Sequence, residues 1–192
     1  MAERELAMTG IGGQGVQFAA QVMSRGAIAE GRQVMMFGSY GGMMRGGNTD
    51  ATLVVADGPI ESPPTVPKVW AAMLMHHEYW SAVQQQLRPG SVVFVNSTIF
   101  RGELDPSYQV IALPVTDIAV DVGNIMGASM VMAGAISRAT GLVSLDSLLG
   151  AVEASLPPYR AKHIAVNHDA LRAGFDAIEA DLAPAWTERV GA

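Results

Sequence analysis

Two glycine-dense turns constrain the fold of this chain more than any other part of its sequence. The first spans residues 10–15 (Gly-Ile-Gly-Gly-Gln-Gly), and the second spans residues 38–47, where an arginine lies among five glycines. An apolar run at residues 6–9 precedes the first turn, and a helical apolar stripe follows it as far as Ala27, with Gly31 as a stop signal. Strand, glycine turn and helix in this order predict the opening of a βαβ unit.

The first turn is suited to bind an anion, because its glycines permit close approach and the following helix offers free N–H groups. Gly10, Gly12 and Gly15 formally match the G-x-G-x-x-G motif of dinucleotide sites. Those sites also place an acidic residue about 20 positions further on, where it binds the ribose hydroxyls. No Asp or Glu occurs between Glu30 and Asp50. The sequence therefore disfavours NAD(P) and favours another anion, or a partner subunit, at this turn.

The second turn places the guanidinium of Arg45 on a pliable, glycine-rich backbone. Arginine is suited to bidentate contacts with phosphate or carboxylate groups, which favours an anion-binding loop. The alternative is an irregular loop in which Arg45 pairs with a nearby carboxylate of the same chain. The residues alone leave both interpretations open.

Composition limits the class of protein. A length of 192 residues with 49% hydrophobic side chains suits one domain with a sizeable core. The net charge of -6 argues against a nucleic-acid partner. The sequence has no cysteine and so offers no thiolate to an iron–sulfur cluster. Its longest charge-free apolar stretch with helical character, residues 122–137, is shorter than the roughly 20 residues of a membrane span, and no signal peptide is visible. We therefore expect a soluble cytoplasmic protein without membrane contact.

Further apolar runs at residues 49–56, 69–75, 91–95 and 109–113 predict strands that alternate with helical patterns. The predicted fold is α/β: a Rossmann-like, mostly parallel sheet flanked by helices, with a helical C-terminal part. We expect a single domain at residues 1–182. Residues 183–192 are expected to form a C-terminal tail that is loosely held or docked on a partner.

The later helices carry recognisable ends. Asn124 is predicted to cap a helix that runs to about Thr140, and Ser144 is predicted to cap the next one. Small side chains along the first of these helices allow close approach of another backbone. That backbone could belong to the chain's own fold or to another subunit.

The sequence contains no recognisable catalytic set, such as a G-x-S-x-G elbow, an H-E-x-x-H pair or a P-loop lysine. His76, His77 and Glu78 follow a predicted strand, but adjacent residues point in different directions and no third ligand with useful spacing is visible. We therefore expect no metal site. His168, on the apolar stripe of the last helix, is interpreted as a hydrogen-bonded core histidine. These features suit a binding subunit better than a self-sufficient enzyme.

Taken together, the two turns resemble the gamma subunit, or gamma domain, of 2-oxoacid:acceptor oxidoreductases, such as the pyruvate, 2-oxoglutarate, 2-oxoisovalerate, indolepyruvate and phenylglyoxylate types. Residues 10–15 fit the G-x-G-G-Q-G opening of that family, and residues 39–47 fit its S-Y-G-x-E-x-R-G-G motif. Segments at residues 60–63, 114–126 and 167–174 fit later family motifs in the same order. Met43 departs from the pattern, because the family usually has Glu there.

The resemblance implies a subunit of an enzyme that oxidatively decarboxylates a 2-oxoacid to its acyl-CoA. Electrons would pass to ferredoxin or another acceptor, including a partner that reduces NAD. Thiamine diphosphate would belong to alpha and beta subunits, and iron–sulfur clusters to beta or delta subunits. The gamma chain would not be catalytic alone. It would help to bind or cover coenzyme A and to assemble the complex.

The resemblance points to the two turns and one helix start as the coenzyme A contacts. These residues are Gly12, Gly13, Gln14, Gly15, Ser39, Tyr40, Gly41, Arg45, Gly46, Gly47 and Asn124. A purely structural assembly subunit, whose turns pack on the alpha subunit without touching a ligand, is the main alternative. A stand-alone NAD(P)-binding oxidoreductase is a further one, which the missing acidic residue disfavours.

Overall fold

The computed structural model describes residues 2–40, 46–63 and 66–186, with Tyr40 described through its backbone alone. Within these residues six strands form one sheet, and helices flank it. The strands are β1 (Glu3–Ile11), β2 (Gln33–Tyr40), β3 (Asn48–Ala56), β4 (Ala71–Leu74), β5 (Val92–Asn96) and β6 (Gln109–Leu113). The α-helices are α1 (Val16–Ala29), α2 (Ser81–Gln84), α3 (Val115–Asp121), α4 (Ala128–Thr140), α5 (Leu145–Ser155) and α6 (Ile164–Asp176). Two short 3₁₀ helices lie at Ile125–Gly127 and Pro158–His163.

The strand order is β2-β3-β1-β4-β5-β6. β1, β4, β5 and β6 pair in parallel, whereas β3 is antiparallel to both β1 and β2. The predicted α/β fold with flanking helices and a helical C-terminal part is confirmed. The sheet is mixed, because β2 and β3 form an antiparallel hairpin and β3 lies between β1 and β2. The βαβ unit predicted from the first turn is therefore split by one strand.

The core lies on both faces of the sheet, and α4 is its most buried helix. Every residue of α4 except Arg138 is buried. α4 crosses α6 at two glycines: a methyl group on Gly134 would lie 2.9 Å from the carbonyl carbon of Leu171, and one on Gly174 would lie 2.6 Å from that of Val131. The small side chains of this helix therefore serve close packing within the chain.

Of the two predicted helix caps, that of Asn124 needs correction. The side chain of Asn124 makes no capping hydrogen bond, and α4 begins only at Ala128, after the 3₁₀ turn. The reason is that the backbone N–H of Asn124 donates to the carbonyl of Ala119 at 2.8 Å. This bond ends α3 and turns the chain before α4 starts. Between β4 and β5, the α-helix is only the four residues of α2. The Ser144 cap is confirmed, since its hydroxyl oxygen accepts a 3.3 Å hydrogen bond from the amide of Ser147.

Residues 183–186 pack on the chain itself, beside the end of α4. The amides of Ala183 and Ala185 donate to Ala139 and Thr140 at 3.0 and 2.7 Å. The Arg32 guanidinium lies 3.8 Å from the Trp186 ring centroid. This part of the expected tail is thus held by its own fold, and residues 187–192 lie outside the described part. None of the described helices has the length and apolar character required to cross a membrane.

Candidate functional site

The two glycine turns meet at the end of the sheet where the parallel strands have their carboxyl ends. Ile11 at the end of β1 pairs with Asn48 at the start of β3. Just beyond this pair, the Gly12 amide donates a 2.8 Å hydrogen bond to the carbonyl of Gly47. In α/β proteins, ligands bind in the crevice outside the carboxyl ends of parallel strands. The structure thus brings together, at the carboxyl ends of these strands, the two motifs that the sequence singled out.

The side chain of Gln14 fixes the shape of the first turn. Its Oε1 accepts from the Ile11 amide at 2.9 Å, and its Nε2 donates to the carbonyl of Met75 at 3.2 Å. Gly10 leaves room for this arrangement, because a methyl group there would lie 2.7 Å from Oε1. Gln14 therefore ties the end of β1 to the end of β4, and both ends of its amide are engaged within the chain.

Two backbone amides of the first turn make no hydrogen bond within the described part of the chain. Gly13 and Gly15 adopt φ angles of +106° and +77°, which favour glycine. The Gly12 and Gln14 amides donate within the chain, whereas those of Gly13 and Gly15 find no acceptor in the residues described. Gly15 precedes the first residue of α1 and offers no side-chain cap. A helix N-terminus with unfilled amides carries partial positive charge and attracts anions.

The second turn is described at its two ends. Ser39 is exposed near the end of β2 and pairs with Asp50. Gly46 and Gly47 lie against the first turn, since a methyl group on Gly12 would be 3.2 Å from the Gly46 amide nitrogen. Of the remaining residues predicted here, Tyr40 ends β2, and Gly41 and Arg45 lie outside the described residues.

Polar side chains beside the second turn link the β2–β3 hairpin to α1. Gln17 donates to the backbone carbonyls of Asp50 and Ser39. Asn48 Nδ2 donates to the Asp50 carboxylate at 2.6 Å, and the Oδ1 atoms of both residues are buried without a hydrogen bond from the described residues. The start of the second turn is therefore held to the helix that follows the first.

Asn124 precedes the segment that packs on the first turn at Gly15. The start of α4 packs on Gly15, where a methyl group would lie 2.6 Å from Ser129 Oγ and 3.6 Å from the carbonyl oxygen of Met126. A cavity of about 430 Å³ opens beside this contact. We call it the α1–α6 pocket, and it is lined by Phe18, Asn124, Met126, Leu156, Arg160, His163 and Asn167.

A buried hydrogen-bond network contacts the first turn through the Met75 carbonyl. The sequence did not single out its central residue, Asn96. Asn96, fully buried at the end of β5, donates through Nδ2 to the carbonyl of Met75 at 3.3 Å and to Thr116 Oγ1 at 2.9 Å. The Met75 carbonyl is the same atom that accepts from Gln14. The available signal was an Asn at the end of an otherwise apolar strand.

The histidines considered above have other roles. His76 and His77 stack with ring centroids 4.5 Å apart, and His76 Nδ1 accepts from the Glu78 amide at 3.1 Å. Burial lowers the pKa of His76, and the charge of His77 lowers it further. No cluster of three potential metal ligands occurs among the described residues. His168 is mostly buried, and its Nε2 lies 3.0 Å from the carbonyl of Leu149, as predicted for a hydrogen-bonded core histidine.

A second cavity lies at the other end of β1, and the carboxylate of Glu3 lines it together with Glu61 and Ser62. Glu3 accepts hydrogen bonds from the Glu61 amide and from the amide and hydroxyl of Ser62. The hydrogen bond from the Glu61 amide, followed by that from the Ser62 hydroxyl, lowers the pKa of Glu3. The family-like segment at residues 60–63 therefore anchors the chain beside β1, away from the glycine turns.

Comparison with known proteins gives the site its context. Residues 5–177 match the family described as pyruvate ferredoxin/flavodoxin oxidoreductase. The 2-oxoglutarate synthase subunit KorC of Methanothermobacter marburgensis is 32% identical over 166 residues, which cover 81% of this chain and 87% of that protein.

Solved structures share the fold. The gamma subunit of keto/oxoacid ferredoxin oxidoreductase from Geobacter sulfurreducens superposes with a TM-score of 0.77 at 28% identity, covering 91% of this chain and 97% of that one. The 2-oxoglutarate:ferredoxin oxidoreductase of Magnetococcus marinus, solved with 2-oxoglutarate, coenzyme A and succinyl-CoA bound, gives a TM-score of 0.80 at 15% identity. The match covers 94% of this chain and 32% of that longer chain.

Proposed function

The chain belongs to the pyruvate ferredoxin/flavodoxin oxidoreductase family, and from this we propose that it is the gamma subunit of a 2-oxoacid oxidoreductase complex. The complex would oxidatively decarboxylate a 2-oxoacid to its acyl-CoA and pass the electrons to ferredoxin or another acceptor. The match along nearly the full length of a gamma subunit from Geobacter sulfurreducens supports this role.

The other cofactors would lie on partner chains. We assign thiamine diphosphate to alpha and beta subunits and the iron–sulfur clusters to beta or delta subunits. The sequence supports the second assignment, because it contains no cysteine and therefore supplies no thiolate ligand. The contribution of this chain would be to help bind and cover coenzyme A and to assemble the complex.

We propose that this chain binds the phosphates of coenzyme A at the junction of its two glycine turns. The observation that carries this proposal is that the amides of Gly13 and Gly15, at the N-terminus of α1 and the carboxyl end of β1, find no acceptor among the residues that the structure describes. They fit an anionic group in charge and in geometry. Coenzyme A would supply the thiol that accepts the acyl group. The Arg45 guanidinium would add a bidentate contact to a phosphate from the facing turn.

The test replaces Arg45 in the assembled complex. We expect Arg45→Ala to raise the KM for coenzyme A by roughly tenfold or more, because a hydrogen bond to a charged group contributes about 1.5–3 kcal/mol. The KM for the 2-oxoacid should change less. Arg172→Ala, at an exposed arginine of α6 paired with Asp169, is the control and should leave both constants unchanged. Equal effects of Arg45→Ala on both substrates, or no effect, would contradict the proposal.

A purely structural assembly role is the second candidate, and one observation favours it. Ile125 and Met126, beside the first turn, are 59% and 60% exposed. Exposed apolar side chains next to one another suit a subunit contact. On this reading, Arg45→Ala would weaken the complex without changing the KM for coenzyme A. Native mass spectrometry of the complex at decreasing concentration, beside the kinetics, separates the two roles.

A further inference from the structure

We propose that Thr9, Asn48 and Asp50 form a binding site for a hard metal cation, with Ca²⁺ as the best match. These three side chains lie at the carboxyl end of β1 and the start of β3, and we call them the oxygen cluster. The proposal is independent of the role proposed for coenzyme A. It departs from the expectation of no metal site, which considered only the two histidines and the glutamate after β4.

The pairing of β1 with β3 places the oxygen cluster on one face of the sheet. Thr9 faces Asp50 across the two strands, and Asn48 precedes Asp50 by two residues on β3. The hydrogen bond from the Gly12 amide to Gly47 continues the same register, so Thr9 and Asp50 form a pair without backbone hydrogen bonds between them. Side chains that face each other in such a pair have Cβ atoms about 4.5–5.5 Å apart. The cluster is therefore compact.

Each member of the oxygen cluster has a buried oxygen atom that finds no hydrogen-bond partner in the described ranges. These atoms are Thr9 Oγ1, Asn48 Oδ1 and Asp50 Oδ1, and Thr9 as a whole is fully buried. The orientation of the Asn48 amide is fixed, because its Nδ2 donates to Asp50 Oδ2 at 2.6 Å and a flipped amide would set two acceptors against each other. Buried polar atoms without a partner are rare and call for an ion or an ordered water. Three such oxygens in one cluster therefore point to a ligand.

The chemistry of the oxygen cluster selects a cation. Amide and carboxylate oxygens accept hydrogen bonds and do not donate them, and the carboxylate of Asp50 adds a negative charge. Among the residues that the structure describes, Asp50 takes part in no ion pair. Oxygen ligands of this kind suit Mg²⁺ and Ca²⁺. Mg²⁺ gives up its water reluctantly, whereas Ca²⁺ binds carboxylate and Asn oxygens directly in a flexible geometry. Because the three oxygens are shielded from solvent, Ca²⁺ is the better match.

The oxygen cluster is separate from the first glycine turn and its helix. Thr9 lies on the sheet face of Ala7, whereas α1 packs on the other face, with Met8 and Ala51. The cluster also differs from a metal site built from three or more His, Cys, Asp or Glu side chains, of which none occurs in the described part of the chain. A single carboxylate predicts weak binding, with a Kd of about 10⁻⁴–10⁻³ M. A bound ion would join β1 to β3 just beyond Gly47, where the second turn ends.

The first test titrates CaCl₂ into the full chain, after treatment with a chelator, and measures binding by isothermal titration calorimetry. We expect one saturable site. Asp50→Asn should weaken binding by about tenfold or more, because it removes the only charge among the ligands. Asp169→Asn, at an exposed aspartate of α6, is the matched control and should leave binding unchanged. The absence of saturable binding in the unmodified chain, or binding that Asp50→Asn leaves unchanged, would overturn the site.

The second test uses Thr9→Val, which removes a ligand oxygen without leaving a cavity. Without Ca²⁺ this variant should be at least as stable as the unmodified chain, because a buried oxygen with no partner has been removed. In about 10 mM CaCl₂ the Tm of the unmodified chain should rise by about 3–8 °C, and that of Thr9→Val by about half as much or less. The same concentration of MgCl₂ should give a smaller rise. Equal rises in the two proteins, or in the two salts, would overturn the site.

A third measurement distinguishes an ion from a cationic side chain of another subunit. Native mass spectrometry compares the assembled complex that contains Asp50→Asn with the unmodified complex. A chain that does not respond to Ca²⁺, but whose Asp50→Asn variant separates from its partners, would assign the oxygens to a lysine or arginine of a partner subunit. That result would overturn the ion site.

Discussion

The Gly12 amide and the Gly47 carbonyl are joined by a 2.8 Å hydrogen bond, although the two residues belong to turns that follow different strands. This bond joins the two glycine turns into one continuous surface. It also occupies the Gly12 amide, whereas the amides of Gly13 and Gly15 find no acceptor in the described ranges.

Gly15→Ala should destabilise the fold by about 1–3 kcal/mol. The φ angle of +77° is strained for alanine, and the new methyl group would lie 2.6 Å from Ser129 Oγ. The matched control is Gly150→Ala in α5, where a methyl group meets nothing within 4 Å. That variant should stabilise by about 0.5–1 kcal/mol through helix propensity. Urea unfolding of both variants measures the difference, and equal effects would contradict the assigned conformation.

Gln14→Glu should loosen the first turn at neutral pH. The remaining oxygen can still accept from the Ile11 amide, but the other end of the side chain would face the carbonyl of Met75 with a second acceptor. We expect a loss of about 1–3 kcal/mol near pH 7, which shrinks at low pH as the carboxyl becomes protonated and can donate. Chemical unfolding at pH 7 and pH 5 checks this; a loss independent of pH would argue against the Met75 contact.

Glu3→Gln should reduce the loss of folding stability that occurs as the pH falls. Hydrogen bonds from Glu61 and Ser62 lower the folded-state pKa of Glu3 from its model-compound value of 4.5. Such a group contributes stability that is fully present above its unfolded pKa and is lost as pH falls through the lower folded value. Thermal unfolding between pH 7 and pH 3 should therefore show a smaller drop below about pH 4.5 in the variant. Glu103→Gln, at an exposed carboxylate, should retain the drop.

Gly134→Ala and Gly174→Ala should each cost about 3 kcal/mol or more, because each new methyl group overlaps the backbone of the facing helix. The double variant should cost less than the sum of the two, since either methyl group alone already forces the helices apart. Midpoints of urea unfolding for the single and double variants form the required cycle. Additive losses would show that the two contacts are independent.

Much of the fold could be predicted because strongly apolar runs are local signals. The predicted strands that became β3, β4 and β5 end within two residues of their observed ends, and β6 has the predicted bounds. The order of the strands was not predictable in this way. Periodicity identifies elements but not neighbours, and the insertion of β3 between β1 and β2 depends on pairing across the whole sheet.

The candidate site was predictable where glycine is required and less so elsewhere. Gly12 and Gly15 were singled out by their spacing, and the structure places them at the edge where parallel strands end. Asn96 and Arg160 were not singled out, since a buried amide and an exposed cation have no distinctive local pattern. Their positions become meaningful only when β5 and the Pro158–His163 turn are placed beside the first turn and α1.

The crossing of α4 and α6 at Gly134 and Gly174 has a consequence for ligand capture. At its start α4 contacts Gly15 through Ser129, and further along it is locked against the backbone of α6, whose Asn167 lines the pocket. The first glycine turn and the pocket are thereby both attached to the packed pair of α4 and α6. A ligand that spans both meets a preorganised surface, so little of its binding free energy is lost to ordering this chain.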